Sequence, residues 1–246
     1  MAANPEKRAE LFEHLAELRT RLIRSGLYVV GGMIVTWIAY GPIYNLLTRP
    51  LGDNLKGGEL VFTTMAEPFM LRLQVALAGG LVVVLPLLVF EIWGFVAPGL
   101  TDKEKKPLRW TVPLAVVLFL SGATLCYWIL PVAFEWFASY LPRGAKYMVT
   151  LPGLIRFELL MVLAFGCAFE LPIVLMLLAQ VGLIDSGFLK KNWRYAIVII
   201  SVLAASLTPS NDVFSMVALT VPLIFLYVGS IYLVKFVEKK PKSESD

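Results

Sequence analysis

Hydrophobic residues along this chain come in long runs separated by short charged segments, with neither the strict alternation of strands nor the half-polar stripes of soluble helices. Charge-free stretches extend from Ser25 to Thr48, Leu73 to Phe90, Trp110 to Phe134, Leu159 to Ile184, Tyr195 to Asn211 and Val213 to Val234, the fourth interrupted once by Glu170. A run of about 20 apolar residues crosses the hydrocarbon core as a helix. The pattern therefore predicts an all-α polytopic membrane protein with six transmembrane helices. The fifth is the odd one: Trp193 to Leu207 is 15 residues, about 22 Å as a helix against a core of about 30 Å. It requires local thinning of the bilayer or a re-entrant hairpin with the sixth span.

Prolines lie within or at the edges of most runs, at Pro86, Pro113, Pro131, Pro172 and Pro222. Each removes a backbone donor and bends its helix, so a curved, concave bundle is expected rather than a straight one. Ahead of the first run, Asn4 and Pro5 read as a cap and a first-turn proline. Leu11, Leu15, Leu18 and Leu22 then form an apolar stripe, with Glu10, Glu13 and Glu17 on a polar face. The expected organisation is one membrane domain over residues 1–246: a short amphipathic cytoplasmic helix over 1–24, the six spans over 25–234 and a cytoplasmic tail over 235–246. The first apolar run is too long for a cleavable signal, so it is expected to remain as a span.

Composition agrees, since 58% of residues are hydrophobic and 16% charged, too apolar to be hidden in one soluble core. Of the 22 basic residues, sixteen flank one set of run ends and six the other, which places both termini in the cytoplasm. The net charge of +4 thus reports topology rather than a nucleic-acid face. One histidine, His14, and two cysteines, Cys126 and Cys167, offer no metal cluster or disulfide framework, and both cysteines read as small core residues.

Three acids carry candidate chemistry. Glu17 stands four residues before Arg21, an ordinary helix-surface pair unless something recruits it. Glu104 lies among lysines in the loop after the second run, where Pro98-Gly99 makes a turn on the same side of the membrane as Glu17. Two carboxylates there suit a partner with paired arginines, because guanidinium forks bind carboxylates in a way lysine does not reproduce; the bland reading is a solvated charge run. Glu170 interrupts an apolar span, at a cost of about 2.5 to 3.5 kcal/mol by insertion scales, and such a residue is by default functional. A secondary transporter using Glu170 as an ion site is a rival reading, weakened by six spans without inverted self-similarity. A membrane-embedded enzyme is another, but no phosphate loop, nucleophile elbow or acid–base dyad is found, so no enzymatic activity is expected.

Several motifs together resemble the TatC family, the multispanning receptor subunit of the twin-arginine protein translocase. They are His14 to Leu22 (HLAELRTRL), Glu67-Pro68-Phe69, Phe95 to Leu100 (FVAPGL) with Glu104, Phe165-Gly166 with Phe169 to Pro172, Arg194-Tyr195, and Thr208-Pro209 with Asp212. The resemblance implies a receptor in the bacterial inner membrane that binds twin-arginine signal peptides of folded cargo. It implies transport driven by the proton gradient, single-span partners of the TatA and TatB type beside the fifth span, further copies of the chain in the complex, and no cofactor or metal. By its pattern Glu17 and Glu104 are the arginine-recognising acids, with Arg19 and Arg21 nearby and Phe95, Pro98 and Leu100 lining the same site. Glu170 matches the family's intramembrane acid. Thr208 and Met216 fall where a partner helix docks, although Thr208 to Asp212 carries an extra residue and Met216 stands where the family often has glutamine.

Overall fold

The computed structural model describes residues 5–51, 59–96, 108–142, 145, 148–210 and 212–237. Among them are helices α1 (Pro5–Ile38), α2 (Tyr40–Thr48), α3 (Glu67–Val96), α4 (Leu108–Ser139), α5 (Leu151–Ala168), α6 (Leu171–Gln180), α7 (Ser186–Lys191), α8 (Trp193–Leu207) and α9 (Val213–Val237). A 3-10 turn (Arg49–Leu51) and two short strands, β1 (Glu59–Val61) and β2 (Met148–Thr150), complete the set. Among the described residues, five helical stretches are long and apolar enough to cross a bilayer: His14–Ile38, Glu67–Ile92, Thr111–Ser139, Leu151–Gln180 and Val213–Val237. Helix α8, at 15 residues, is the sixth apolar helix and the short one. The chain is an all-α polytopic membrane protein.

Several boundaries differ from expectation, each for a local reason. Instead of a short interfacial helix and a separate span, α1 is continuous over 34 residues. Between Leu15 and Ser25 there is neither proline nor glycine to interrupt it, and the Thr20 hydroxyl donates back to the Ala16 carbonyl at 3.0 Å. Leu15, Leu18 and Leu22 lie exposed along it, so the apolar stripe faces away from the chain's own core. The first span also stops at Ile38 rather than Thr48. Pro42 has no N–H for the Ile38 carbonyl, so the ladder breaks and α2 restarts with that proline in its first turn. Arg72 closes the break: its Nη2 donates to the Trp37 carbonyl at 3.1 Å, and its guanidinium lies 4.6 Å from the Trp37 ring and 5.1 Å from that of Tyr40.

The fourth span is split at Phe169 and Glu170, because Pro172 in the first turn of α6 removes a donor from the ladder. Helix α6 then ends at Gln180 rather than Ile184. Gly182 adopts a left-handed φ of 78°, its N–H donates to the Ala179 carbonyl at 3.0 Å, and the Leu183 N–H reaches the Leu178 carbonyl at 2.9 Å. Those two bonds are a glycine-dependent helix stop.

The residues gather into two compact units, Met1–Ile43 with Arg72–Val116, and Tyr44–Leu71 with Val117–Asp246. In the first, α1 and α3 meet at Gly32 and Gly80, where a Cβ on Gly32 would stand 2.7 Å from the Gly80 carbonyl oxygen. The buried Thr36 hydroxyl donates to Ala76 O at 3.0 Å beside that crossing. Close backbone approach through small residues is the main way membrane helices gain packing energy, since lipid supplies no hydrophobic drive between them. In the second unit the core runs through Cys126, Leu130, Met161, Phe165, Ala204, Leu219 and Val234, and α9 packs against α6, α7 and α8. Strand β1 pairs in parallel with β2, Glu59 opposite Met148, which ties the connection after α2 to the one before α5. Cys126 is buried in this unit and Cys167 is exposed.

Candidate functional site

In the first unit a charged cluster joins α1 to the end of α3. Glu17 and Arg21 lie one turn apart on α1, and Arg21 Nε and Nη2 both donate to Glu17 Oε1, at 2.9 and 2.6 Å. Arg21 Nη1 extends across to Glu91 Oε2 at 3.0 Å, and the Tyr28 hydroxyl donates to Glu91 Oε1 at 3.4 Å. Glu91 is buried, whereas the Glu17 side chain keeps 32% of its surface. One guanidinium thus ties a buried acid to an accessible one, a geometry lysine does not supply because it lacks the planar fork. The glycine at position 94 makes room for it, since a Cβ there would stand 2.1 Å from Arg21 Nη1. Close by, the rings of His14 and Phe95 stack with centroids 4.3 Å apart and planes 21° from parallel.

Of the residues expected at a recognition site, Glu17, Arg21 and Phe95 are therefore on α1 and the last turns of α3, while Arg19 is exposed on α1 with no ion pair among the described residues. Glu104, Pro98 and Leu100 lie outside the described residues. The role of Glu91 was not legible in the sequence, where it stands just past the end of the second apolar run at Phe90. The 70 positions separating Glu91 from Arg21 leave no local signal for the pairing.

The second unit carries the intramembrane acids. Glu170 is half-buried at the break between α5 and α6, and its Oε1 has no hydrogen-bond partner among the described residues. Glu158, on α5, is 0% exposed, and both its carboxyl oxygens lack a hydrogen-bond partner among the described residues. It was overlooked because a charge-free criterion starts the fourth span at Leu159. A signal existed: Glu158 shares its helical phase with the buried Leu151, Ile155, Met161 and Phe165.

At the turn between α8 and α9, Thr208 is buried and caps α8, its N–H donating to the Ala204 carbonyl at 3.0 Å. Met216 is half-buried against the core. Between them Asp212 caps α9: its Oδ1 accepts the Ser215 N–H at 2.8 Å and its Oδ2 accepts the Ser210 hydroxyl. Burial alone would raise the Asp212 carboxyl, but hydrogen bonds from Ser210 and Ser215 outweigh it and hold the group below the usual carboxylate range. Among the described residues no cluster of histidine, cysteine and acids could hold a metal ion.

Residues 13–222 match the family described as Sec-independent protein translocase protein (TatC). The chain is 39% identical over 234 residues to the Sec-independent protein translocase protein TatC of Xylanimonas cellulosilytica, covering 94% of this chain and 85% of that one. It is 35% identical over 236 residues to the protein of the same name from Carboxydothermus hydrogenoformans, covering 96% of each. Two crystal structures of the twin-arginine translocase receptor TatC are similar in fold: one has a TM-score of 0.76 at 32% identity over 91% of this chain and 99% of that one. The other, in DDM, has a TM-score of 0.79 at 31% identity over 89% and 98%.

Proposed function

The chain belongs to the TatC family of Sec-independent protein translocase proteins, and from that premise we propose that it is the receptor that binds twin-arginine signal peptides of folded cargo. The observation that carries this reading is Glu17 held by Arg21. Its Oε1 takes both Arg21 bonds, while Oε2 makes no hydrogen bond among the described residues. The cluster of Glu17, Glu91 and Arg21 carries one more negative than positive charge, so an arriving guanidinium balances it without displacing Arg21. Clamping by Arg21 also fixes the Glu17 rotamer before the ligand arrives, which lowers the entropy lost on binding. Glu104, through the resemblance, is the second acid for the second arginine, and Phe95, Pro98 and Leu100 supply the apolar part of the contact.

The same reading places the chain in the bacterial inner membrane with both termini cytoplasmic, so that the Glu17 cluster faces the compartment where cargo folds. Pairing of β1 with β2 supports it by bringing together two connections that this topology puts on the outer side. TatA and TatB type subunits dock beside α8, where Thr208 and Met216 lie, further copies of the chain complete the complex, and the proton gradient drives transport with Glu170 as the intramembrane polar group.

The decisive measurement is binding of a twin-arginine peptide to the full chain with its partners, comparing wild type with Glu17→Gln. Loss of one charge-assisted hydrogen bond, about 1.5 to 3 kcal/mol, corresponds to a weakening of roughly tenfold or more. A twin-lysine peptide should bind as weakly to wild type as the arginine peptide does to the variant. Unchanged affinity in Glu17→Gln rejects the assignment of this cluster.

A further inference from the structure

Helix α9 packs against both α6 and α8, and between the latter two lies an apolar groove of about 400 Å³. One wall is Leu171, Leu175 and Leu178, at positions i, i+4 and i+7 of α6; the other is Ala196, Ile199 and Leu203, on one face of α8. Tyr227 of α9 lies at its floor, its hydroxyl already donating to the Leu189 carbonyl at 2.8 Å. The groove therefore offers a slot about two helical turns long with almost no polar surface.

One end of the slot is chemically distinct. Asn192, which lines it, is flanked by Lys190 and Lys191 in the last turn of α7 and by Arg194 in the first turn of α8. All three cations are exposed and make no ion pair among the described residues. The acid of this segment, Asp185, is engaged in capping the Phe188 N–H at 2.6 Å. Helix α8 has no side-chain cap at Asn192, so its leading N–H groups and positive dipole end add to the same site. Trp193 and Tyr195 are exposed beside them, with the Arg194 guanidinium 5.7 Å from the Trp193 ring, the arrangement of residues at headgroup depth.

We propose that this groove binds one anionic glycerophospholipid, its acyl chain lying between α6 and α8 and its phosphate held by Lys190, Lys191 and Arg194. Charge complementarity selects this occupant: an apolar slot that ends at Asn192, with exposed Lys190, Lys191 and Arg194 within two residues of it along the chain, matches an anionic headgroup on a hydrocarbon chain. The short α8 gives the lipid a purpose. At about 22 Å it leaves hydrocarbon uncovered beside longer neighbours, and a lipid fixed by its headgroup covers the flank while setting the depth of the helix. The proposal requires membrane embedding and not cargo recognition, so it stands or falls apart from the receptor reading.

The test is native mass spectrometry of the full chain in dodecyl maltoside, titrated with phosphatidylglycerol or with phosphatidylcholine of the same acyl chains. Retention of phosphatidylglycerol over phosphatidylcholine is expected, at roughly fivefold per cation. The preference should fall at least tenfold in the triple variant Lys190→Gln, Lys191→Gln, Arg194→Gln. It should also fall in Ala196→Phe, which fills the slot and leaves the charges intact. Dihexanoyl phosphatidylglycerol, with the headgroup but little chain, should compete weakly on the wild-type protein, which keeps the result interpretable if Ala196→Phe does not fold. Equal retention of both lipids overturns the proposal. So does a preference unaffected by Ala196→Phe in a folded variant, or full competition by the dihexanoyl lipid or inorganic phosphate, each of which reduces the mouth to a surface anion site. Crosslinking of a TatA-type single-span subunit to Leu175→Cys, with no lipid retained, would overturn it in favour of a helix-docking groove.

Discussion

Both carboxyl oxygens of Glu158 are shielded from solvent and lack a hydrogen-bond partner among the described residues, while Ile155 and Met161 on the same face pack as ordinary core. A buried polar group without a partner costs about 1 to 3 kcal/mol, so a residue of similar length and no polarity should be better tolerated there than the native one. Glu158→Met is expected to raise the thermal unfolding midpoint in detergent, by an amount equivalent to roughly that cost. A lowered midpoint would show that the carboxyl has a partner in the folded protein. Asp212 presents the opposite case, an acid whose hydrogen bonds outweigh its burial and depress it. A group depressed in the folded state stabilises fully above its unfolded value of about 4 and loses that contribution as pH falls through the lower folded value. The midpoint difference between wild type and Asp212→Asn should thus be full at pH 7 and shrink below about pH 4; a difference that grows on acidification would reverse the assignment.

At the scale of elements, two glycines of neighbouring helices separate propensity from packing. Gly26, in the middle of α1, has nothing within 4 Å of where a Cβ would stand, whereas a Cβ on Gly80 of α3 would lie 2.7 Å from the Met33 backbone nitrogen. Gly26→Ala should stabilise by up to about 1 kcal/mol through helix propensity alone. Gly80→Ala gains the same propensity but must push α1 from α3, so it should lower the midpoint; equal effects of the two substitutions would mean that the helices do not meet there. This crossing was not legible in the sequence, because nothing in a run of apolar residues marks which small residue faces a neighbour. The runs themselves were legible, down to the short α8, because span length is set by the bilayer and needs no tertiary information. Ends were read less well where local chemistry decided them. Pro42 stopped the first span ten residues early, Gly182 ended α6, and the absence of a breaker let α1 run through Ser25. The candidate site divided along the same line: Glu17 and Arg21, four apart on one helix, were readable as a pair, and their link to Glu91 was not.

For the whole molecule, the distribution of sixteen basic residues against six and the pairing of β1 with β2 bear on one question, the side of the membrane on which the α8–α9 turn emerges. Because α8 is about 22 Å long, its far end reaches water only if the bilayer thins around it; a re-entrant hairpin would return the turn to the side it started from or leave it buried. Pro209 is exposed at this turn and lies outside the hydrogen-bonded cap formed by Ser210, Asp212 and Ser215. In a variant with Cys126→Ala and Cys167→Ala, Pro209→Cys should react with a membrane-impermeant maleimide added outside intact cells. The same reagent should not reach Ser201→Cys, two turns back on α8, whose native hydroxyl is part-buried and bonded to the Ile197 carbonyl at 2.9 Å. Labelling only after the cells are opened would place the turn on the inner side and reverse the direction assigned to α8 and α9. Protection of Pro209→Cys under both conditions would make the pair a hairpin that never crosses, and would remove the mismatch that the bound lipid is proposed to relieve.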